Sequence, residues 1–158
     1  MRRDERGSAA IFVVVLLPLL LTIVVGVVQL GAIRVLAARI ASAADLATLA
    51  ATDDQDGGEL ARTGALRLAP DAVAVARTYF ALNLRQIAAH LAITPEDAAA
   101  QADVAIFSTV PAVDPLTGWH YDHPTVRIAA SVPVRTPAFG VIFSPTTVVS
   151  VRAASAPR

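Results

Sequence analysis

The chain has 158 residues, of which 55% are hydrophobic and 16% are charged, whereas an average soluble domain carries about 25% charged residues. All 13 basic residues are arginines, 13 acidic residues balance them, and there is no cysteine. The sequence therefore excludes P-loop and Schiff-base lysines, disulfides, thiolate nucleophiles and iron–sulfur clusters. Its zero net charge provides no field that would attract nucleic acid, and its length excludes a large multidomain enzyme.

The first predicted element is a membrane-spanning helix. Arg6 and Arg34 enclose 27 consecutive uncharged residues, and the most apolar part runs from Ile11 to Leu30. About 20 apolar residues at roughly 1.5 Å each cross the hydrocarbon core of a bilayer. The run is longer than the apolar region of a cleaved signal peptide, so we expect a retained anchor. Arginines cluster before the span, which predicts a cytoplasmic N-terminus and an extracytoplasmic C-terminal part.

Three residues give this helix a distinctive pattern. Pro18 lacks an amide proton and is expected to kink the helix. Gly26 and Gly31 provide points where another helix can approach closely. Proline and glycine are also ordinary residues of membrane helices, so their spacing, rather than their presence, favours a role in helix packing.

The segments Gly7-Ser8-Ala9-Ala10, Leu17-Pro18-Leu19-Leu20-Leu21 and Gly26-Val27-Val28-Gln29-Leu30-Gly31 stand in a common register. In that register, residues 6–52 resemble the N-terminal part of TadE/TadG-like proteins, pseudopilins of tight-adherence (Flp) pilus systems. The resemblance implies a non-catalytic role in pilus assembly, a pilin-like fold and prepilin-type processing between Gly7 and Ser8. Many TadE members have Glu five residues after the glycine, where this chain has Phe12. The pairing of that carboxylate with a neighbouring subunit's amine therefore has no equivalent here, which leaves entry into a filament open.

We expect the membrane helix to continue as one helix from about Ser8 to Ala51. Ala43, Ala47 and Ala51 recur every four residues and would let another helix or sheet approach closely, whereas Thr48 is expected on a different face. The predicted organisation is a cytoplasmic leader (1–7), a transmembrane helix (8–33), a helical extension (34–52), an Asp- and Gly-rich linker (53–58) and an extracytoplasmic domain (59–158).

The extracytoplasmic domain is predicted to be α+β, a small antiparallel sheet supported by helices. One helix begins at Pro70 or Asp71 and ends at Leu91. It is expected to pack on the sheet, with Val75, Tyr79, Leu82, Ile87 and Leu91 among its apolar positions. Thr94 caps a short helix that begins at Pro95. Three runs rich in β-branched residues predict strands, and the turn Asp114–Gly118 lies between the first two. The strand runs are residues 104–110, 125–135 and 146–153, and Pro133, Pro137 and Pro145 predict sheet edges or breaks.

No motif in the sequence predicts catalysis, and we assign no catalytic, cofactor-binding or metal-binding residue. His120, Asp122 and His123 form the one cluster of potential metal ligands, but a polar loop is the favoured interpretation. His90 is expected near a helix end, where a cation is favourable. Trp119, with Tyr121, Phe107 and Phe143, is expected to pack in the core, and the alternative is a partner-binding patch.

The functional hypothesis is a bitopic, non-catalytic membrane protein that takes part in assembling or anchoring a tight-adherence pilus or a related secretion apparatus. Its expected partners are the membrane, other assembly proteins and further copies of itself. No cofactor, small-molecule substrate or nucleic acid is expected. The alternative hypothesis is a membrane-anchored extracytoplasmic enzyme or metal-binding domain unrelated to pili.

Overall fold

A computed structural model describes residues 5–53, 57–64, 67–136 and 145–157, with side chains in α1 described from residue 12 onwards. The described elements are helices α1 (Glu5–Asp53), α2 (Gly57–Thr63), α3 (Ala72–Leu84), the 3-10 helix η1 (Arg85–His90) and α4 (Pro95–Gln101), and strands β1 (Asp103–Phe107), β2 (Ala112–Val113), β3 (His120–Tyr121), β4 (Thr125–Arg135) and β5 (Thr146–Ser155). A long apolar N-terminal helix is thus followed by short helices and antiparallel strands, which confirms the predicted α+β class.

The main sheet is antiparallel and has the strand order β1-β4-β5. All three predicted strand runs form it, and β4 has the predicted bounds. β1 pairs with β4 from Asp103 opposite Ala129 to Phe107 opposite Thr125. The loop between β1 and β4 carries a two-stranded hairpin, β2-β3, which the sequence did not predict. Its turn, Asp114–Gly118, was predicted and is confirmed, with Gly118 at the positive φ of 73° that favours glycine.

Pro133, predicted at a sheet edge or break, lies in β4, the middle strand, but at a position that β1 does not reach. β1 ends its pairing opposite Ala129, so the flank of β4 at Pro133 is free of β1. The Pro133 carbonyl accepts a hydrogen bond of 2.9 Å from the Ala92 amide. A residue's amide and carbonyl point to the same side of a strand, so the missing N–H of Pro133 faces away from β5. Pro145 precedes β5, and Pro137 lies outside the described residues.

The second half of α1 forms one wall of the core. Ala43, Ala47 and Ala51 are at most 4% exposed, and α1 contacts both α3 and β5. The predicted role of this alanine stripe in close packing is confirmed. The other buried residues of this half include Leu36, Ile40 and Ala44. The sheet contributes the alternate β4 residues from Val126 to Val134, which are buried against the helices.

Two predicted faces are wrong. Thr48 is fully buried, because its hydroxyl donates to the Asp45 carbonyl at 2.8 Å and lies 2.9 Å from the Ser155 hydroxyl of β5. These bonds satisfy a polar group inside the core. On α3, Tyr79 and Leu82 are 46% and 50% exposed. The buried face instead carries Ala72, Ala76, Phe80 and Leu84, and α3 contacts α1.

Some helix boundaries agree with the local sequence signals and others do not. The Thr94 hydroxyl accepts a 3.0 Å bond from the Asp97 amide, and Pro95 occupies the first turn of α4, as predicted. The helix predicted to end at Leu91 changes from α-helix to 3-10 helix at Arg85. Gly57 begins α2, so the predicted linker, which extends to residue 58, overlaps a helix.

Candidate functional site: the membrane helix and the polar hairpin

The N-terminal half of α1 presents an apolar surface that no described part of the chain covers. Its large hydrophobic residues from Phe12 to Leu30 are between 42% and 71% exposed. By length and composition, α1 can cross a membrane. An exposed apolar surface of this extent is unfavourable in water and marks a membrane or protein contact.

The predicted packing residues lie along this surface. The helix continues through Pro18, and the Thr22 hydroxyl donates to the Pro18 carbonyl at 2.8 Å. Gly26 is half-buried and Gly31 is exposed. A Cβ atom added at Gly31 would meet no atom within 4 Å. Gly31 therefore makes no close packing contact inside the described chain, and a larger side chain there would fit without disturbing the fold.

The candidate processing residues Gly7 and Ser8 lie near the beginning of α1, one turn before Phe12. Phe12 itself is 70% exposed. The helical backbone places Gly7 and Ser8 before the apolar span and Phe12 at its beginning, all on the part of α1 that precedes the segment packed in the core.

The histidine cluster does not converge. His120 in β3 is exposed, and so are Asp122 and His123, which follow that strand. Among residues 5–53, 57–64, 67–136 and 145–157, no group of three His, Cys, Asp or Glu side chains could hold a metal ion. His90 ends the 3-10 helix, as expected from the sequence, but it faces a cavity beside α1.

The sequence did not indicate a buried ionic cluster that holds the β2-β3 hairpin against the sheet. Asp114 is fully buried, and its carboxylate accepts bonds from the Leu116 amide at 2.9 Å and the Thr117 hydroxyl at 2.7 Å. The Arg127 side chain is 4% exposed, with Nε 3.1 Å from Asp114 Oδ2 and Nη2 2.9 Å from Asp103 Oδ2. One feature of the sequence could have indicated this cluster. Side chains alternate between the two faces of β4, which places Arg127 on the sheet face opposite the core.

The electrostatics of the cluster keep Asp114 ionised. Burial by itself would raise the pKa of Asp114, but the bonds from Thr117 and Leu116 and the positive charges of Arg127 and Arg152 outweigh it and lower the pKa. Burial raises the pKa of Tyr121, and the negative charge of Asp114 raises it further. The ionised carboxylate is bonded by Thr117 and Leu116 of the hairpin turn and lies against Arg127 of β4, so it fixes the hairpin to the sheet.

The aromatic residues of this hairpin divide between two roles. Tyr121 packs on Phe107, with ring centroids 5.0 Å apart. Trp119 is 54% exposed, so the expectation that it packs in the core is wrong. The hairpin strands are only two residues long, and the 114–118 turn leaves the indole outside the sheet. Phe143 lies outside the described residues.

Comparison with known families gives one match. The Tad family model, described as Flp pilus-assembly TadE/G-like, matches residues 7–67, which is about two fifths of the chain. Comparisons with curated proteins and with solved structures gave no match. The matched segment includes the whole exposed apolar half of α1 and the alanine stripe that packs in the core. The chain therefore carries a TadE/G-like segment of the Flp pilus-assembly type, as the sequence resemblance predicted.

Proposed function

We propose that this chain is a non-catalytic, single-pass membrane protein that takes part in assembling or anchoring a tight-adherence pilus or a related secretion apparatus. The observation that carries the proposal is the TadE/G-like match over residues 7–67, together with the exposed apolar surface of α1 within that segment. The match supports a part in pilus assembly, and the apolar surface supports a membrane anchor.

The proposed topology places the N-terminus in the cytoplasm and the C-terminal domain outside it. Arg2, Arg3 and Arg6 precede the apolar span, while Arg34 and Arg39 follow it. Arginine is enriched on the cytoplasmic side of membrane helices. The three-to-two distribution supports this orientation.

The proposed folded unit begins inside α1. Leu36 and Ile40 belong to the core that α3 and the sheet complete. The extension of residues 34–52 is therefore part of the extracytoplasmic domain in this proposal, rather than a separate spacer before residues 59–158. Because α1 has no break between its exposed and buried halves, a displacement of the membrane helix would be transmitted directly to the domain.

The partner-facing surface is proposed to include Pro18, Gly26 and Gly31. Small residues allow close approach of helices within a membrane, where interhelical association depends on packing. The open space around Gly31 supports a contact with another chain. Since Phe12 stands in place of the pilin carboxylate, we propose that such contacts depend on helix shape, without a buried charge pair at residue 12.

Insertion and topology are tested by carbonate extraction and by a reporter fused to the C-terminus. We expect the full-length chain to stay in the membrane fraction and the reporter to be active only outside the cytoplasm. Release of the chain by carbonate, or a reporter active only in the cytoplasm, would contradict the proposal.

The role in assembly is tested by the Gly26→Leu/Gly31→Leu variant, with Gly26→Ala/Gly31→Ala as the matched control. We expect the leucine variant to insert normally but to lose crosslinking to assembly proteins and pilus-dependent adherence, and the alanine control to retain most of both. A second variant replaces His120, Asp122 and His123 by alanine and should leave both readouts unchanged. Silent glycine changes with loss of activity in the histidine variant would favour the anchored enzyme or metal-binding alternative.

A further inference from the structure

A cavity lies where α1 passes from its exposed apolar half into the core. It has a volume of about 380 Å³, within the range of sites that hold small molecules. Ile33 and Leu36 give it apolar walls, while Arg39 and the domain residues His90 and Arg135 give it a basic side. No acidic residue among those described lines it.

The two arginines of this cavity are available to a ligand. Arg39 and Arg135 are exposed, and neither forms an ion pair with any residue in the described part of the chain. Unpaired arginines that converge on one cavity provide the geometry for a phosphate group, because the guanidinium donates two parallel hydrogen bonds. His90 adds a third nitrogen donor on the same side.

Gln29 is a polar residue in the wall of this cavity. It is 7% exposed, whereas the large residues that precede it on α1 are at least 42% exposed. Its side chain lines the cavity and makes no hydrogen bond to the residues that the structure describes. The Gln29 amide therefore offers a donor and an acceptor to a polar group of a ligand in the cavity.

The position of the cavity favours a membrane lipid as the source of the phosphate group. The apolar run of α1 ends at Leu30, and a bilayer has roughly 5 to 8 Å of headgroup region on each side of its hydrocarbon core. Gln29 and Ile33 therefore lie at the boundary between acyl chains and headgroups. Arg39 lies about 14 Å beyond Leu30 along the helix axis, and its long side chain can extend back toward the headgroups.

We propose that this cavity binds the headgroup of one anionic phospholipid from the outer face of the membrane that α1 spans. Arg39, Arg135 and His90 hold the phosphate, Gln29 bonds the glycerol or ester oxygens, and Ile33 and Leu36 contact the beginning of the acyl chains. The bound lipid would fix the domain against the bilayer surface. This inference rests on the proposed membrane insertion of α1 and does not depend on the role in pilus assembly.

The test uses the full-length chain, extracted in mild detergent and incubated with equal amounts of phosphatidylglycerol and phosphatidylcholine. Native mass spectrometry counts the lipids retained by each chain at about 0.5 M salt, where attraction to exposed surface charges is largely screened. We expect one phosphatidylglycerol to be retained in preference to phosphatidylcholine. Because Arg39→Gln/Arg135→Gln removes two charged donors to the phosphate, it should weaken retention by at least about tenfold.

Two further variants separate the cavity from the general charge of the helix. Gln29→Leu should weaken retention without changing the charge. Arg34→Gln is the matched control, since Arg34 is exposed on α1 near the same level but does not line the cavity, and its effect should stay within about twofold, as for other surface substitutions. Equal retention of the two lipids, or an Arg34→Gln effect as large as that of the cavity variant, would overturn the proposal.

A competition arm identifies the source of the phosphate. Inorganic phosphate at millimolar concentration should leave the lipid bound, because the apolar contacts with Ile33 and Leu36 are specific to a lipid. Displacement of the lipid by inorganic phosphate would assign the cavity to a free anion and overturn the lipid proposal. Carbonate extraction of the same variants reports insertion separately, so a chain that inserts but lacks lipid preference refutes this inference alone.

Discussion

Removing the Asp114 carboxylate provides the sharpest test of how the domain is held together. In Asp114→Ala, Arg127 remains 4% exposed but loses its buried partner and keeps only the contact with Asp103, whose side chain is 62% exposed. Removing one member of a buried pair costs about 3 to 5 kcal/mol, because the other charge stays buried. The remaining contact with Asp103 places the expected loss near the lower limit, about 3 kcal/mol of unfolding free energy.

The single tryptophan of the chain makes this loss measurable. Trp119 lies on the hairpin that Asp114 anchors, and its carbonyl accepts a 2.8 Å bond from the Asp114 amide. Urea unfolding of the full-length chain in detergent is followed by Trp119 fluorescence. At a slope of about 2 kcal/mol per molar urea, a loss of about 3 kcal/mol lowers the midpoint by roughly 1.5 M.

Two controls determine whether the ion pair is the cause. Asp122→Ala removes an exposed acid close to the same hairpin and should change stability by less than about 0.5 kcal/mol. Asp114→Ala/Arg127→Met removes both charges and should recover much of the loss, because no buried charge is then left unpaired. Equal effects of Asp114→Ala and Asp122→Ala, or no recovery in the double variant, would refute the reasoning.

Three other predictions follow from the same structure. Because the folded-state pKa of Asp114 is lowered from 3.8, its stabilising contribution is present above about pH 3.8 and is lost as pH falls through the folded pKa; urea midpoints measured between pH 6 and 2 should therefore fall less steeply in Asp114→Ala. Ala47→Leu should destabilise the domain by about 1 to 3 kcal/mol through overpacking, whereas Ala38→Leu, on the exposed face of α1, should be nearly neutral in the same assay. A fragment of residues 34–158 should show cooperative unfolding by circular dichroism, whereas residues 58–158 should not, since they lack the α1 wall of the core; cooperative unfolding of the shorter fragment would contradict this prediction.

The elements that could be predicted from the sequence depend on local physics. The long uncharged run predicts a helix able to cross a bilayer, because its length matches the hydrocarbon core. Thr94 followed by Pro95 predicts the beginning of α4, because the cap and the fixed proline φ act within a few residues. The run of residues 125–135, rich in β-branched residues, predicts β4 with its observed bounds.

Features that depend on distant partners could not be predicted in this way. Thr48 is buried because Ser155, at the other end of the chain, supplies a hydroxyl contact. α3 exposes Tyr79 because the face that packs in the core with α1 is the one that carries Ala76 and Phe80.

The candidate sites show the same division. The pattern Pro18, Gly26, Gly31 is readable in the sequence because all its members lie on one helix. The cavity could not be predicted from the sequence, since Arg39 and Arg135 are separated by 96 positions. Only the packing of α1 against the domain brings them to one cavity. Sequence alone thus determined a helix able to cross a membrane and its TadE/G-like signature, through local length, polarity and spacing. The tertiary structure decided which charges and polar groups meet, because those contacts form only when distant segments pack.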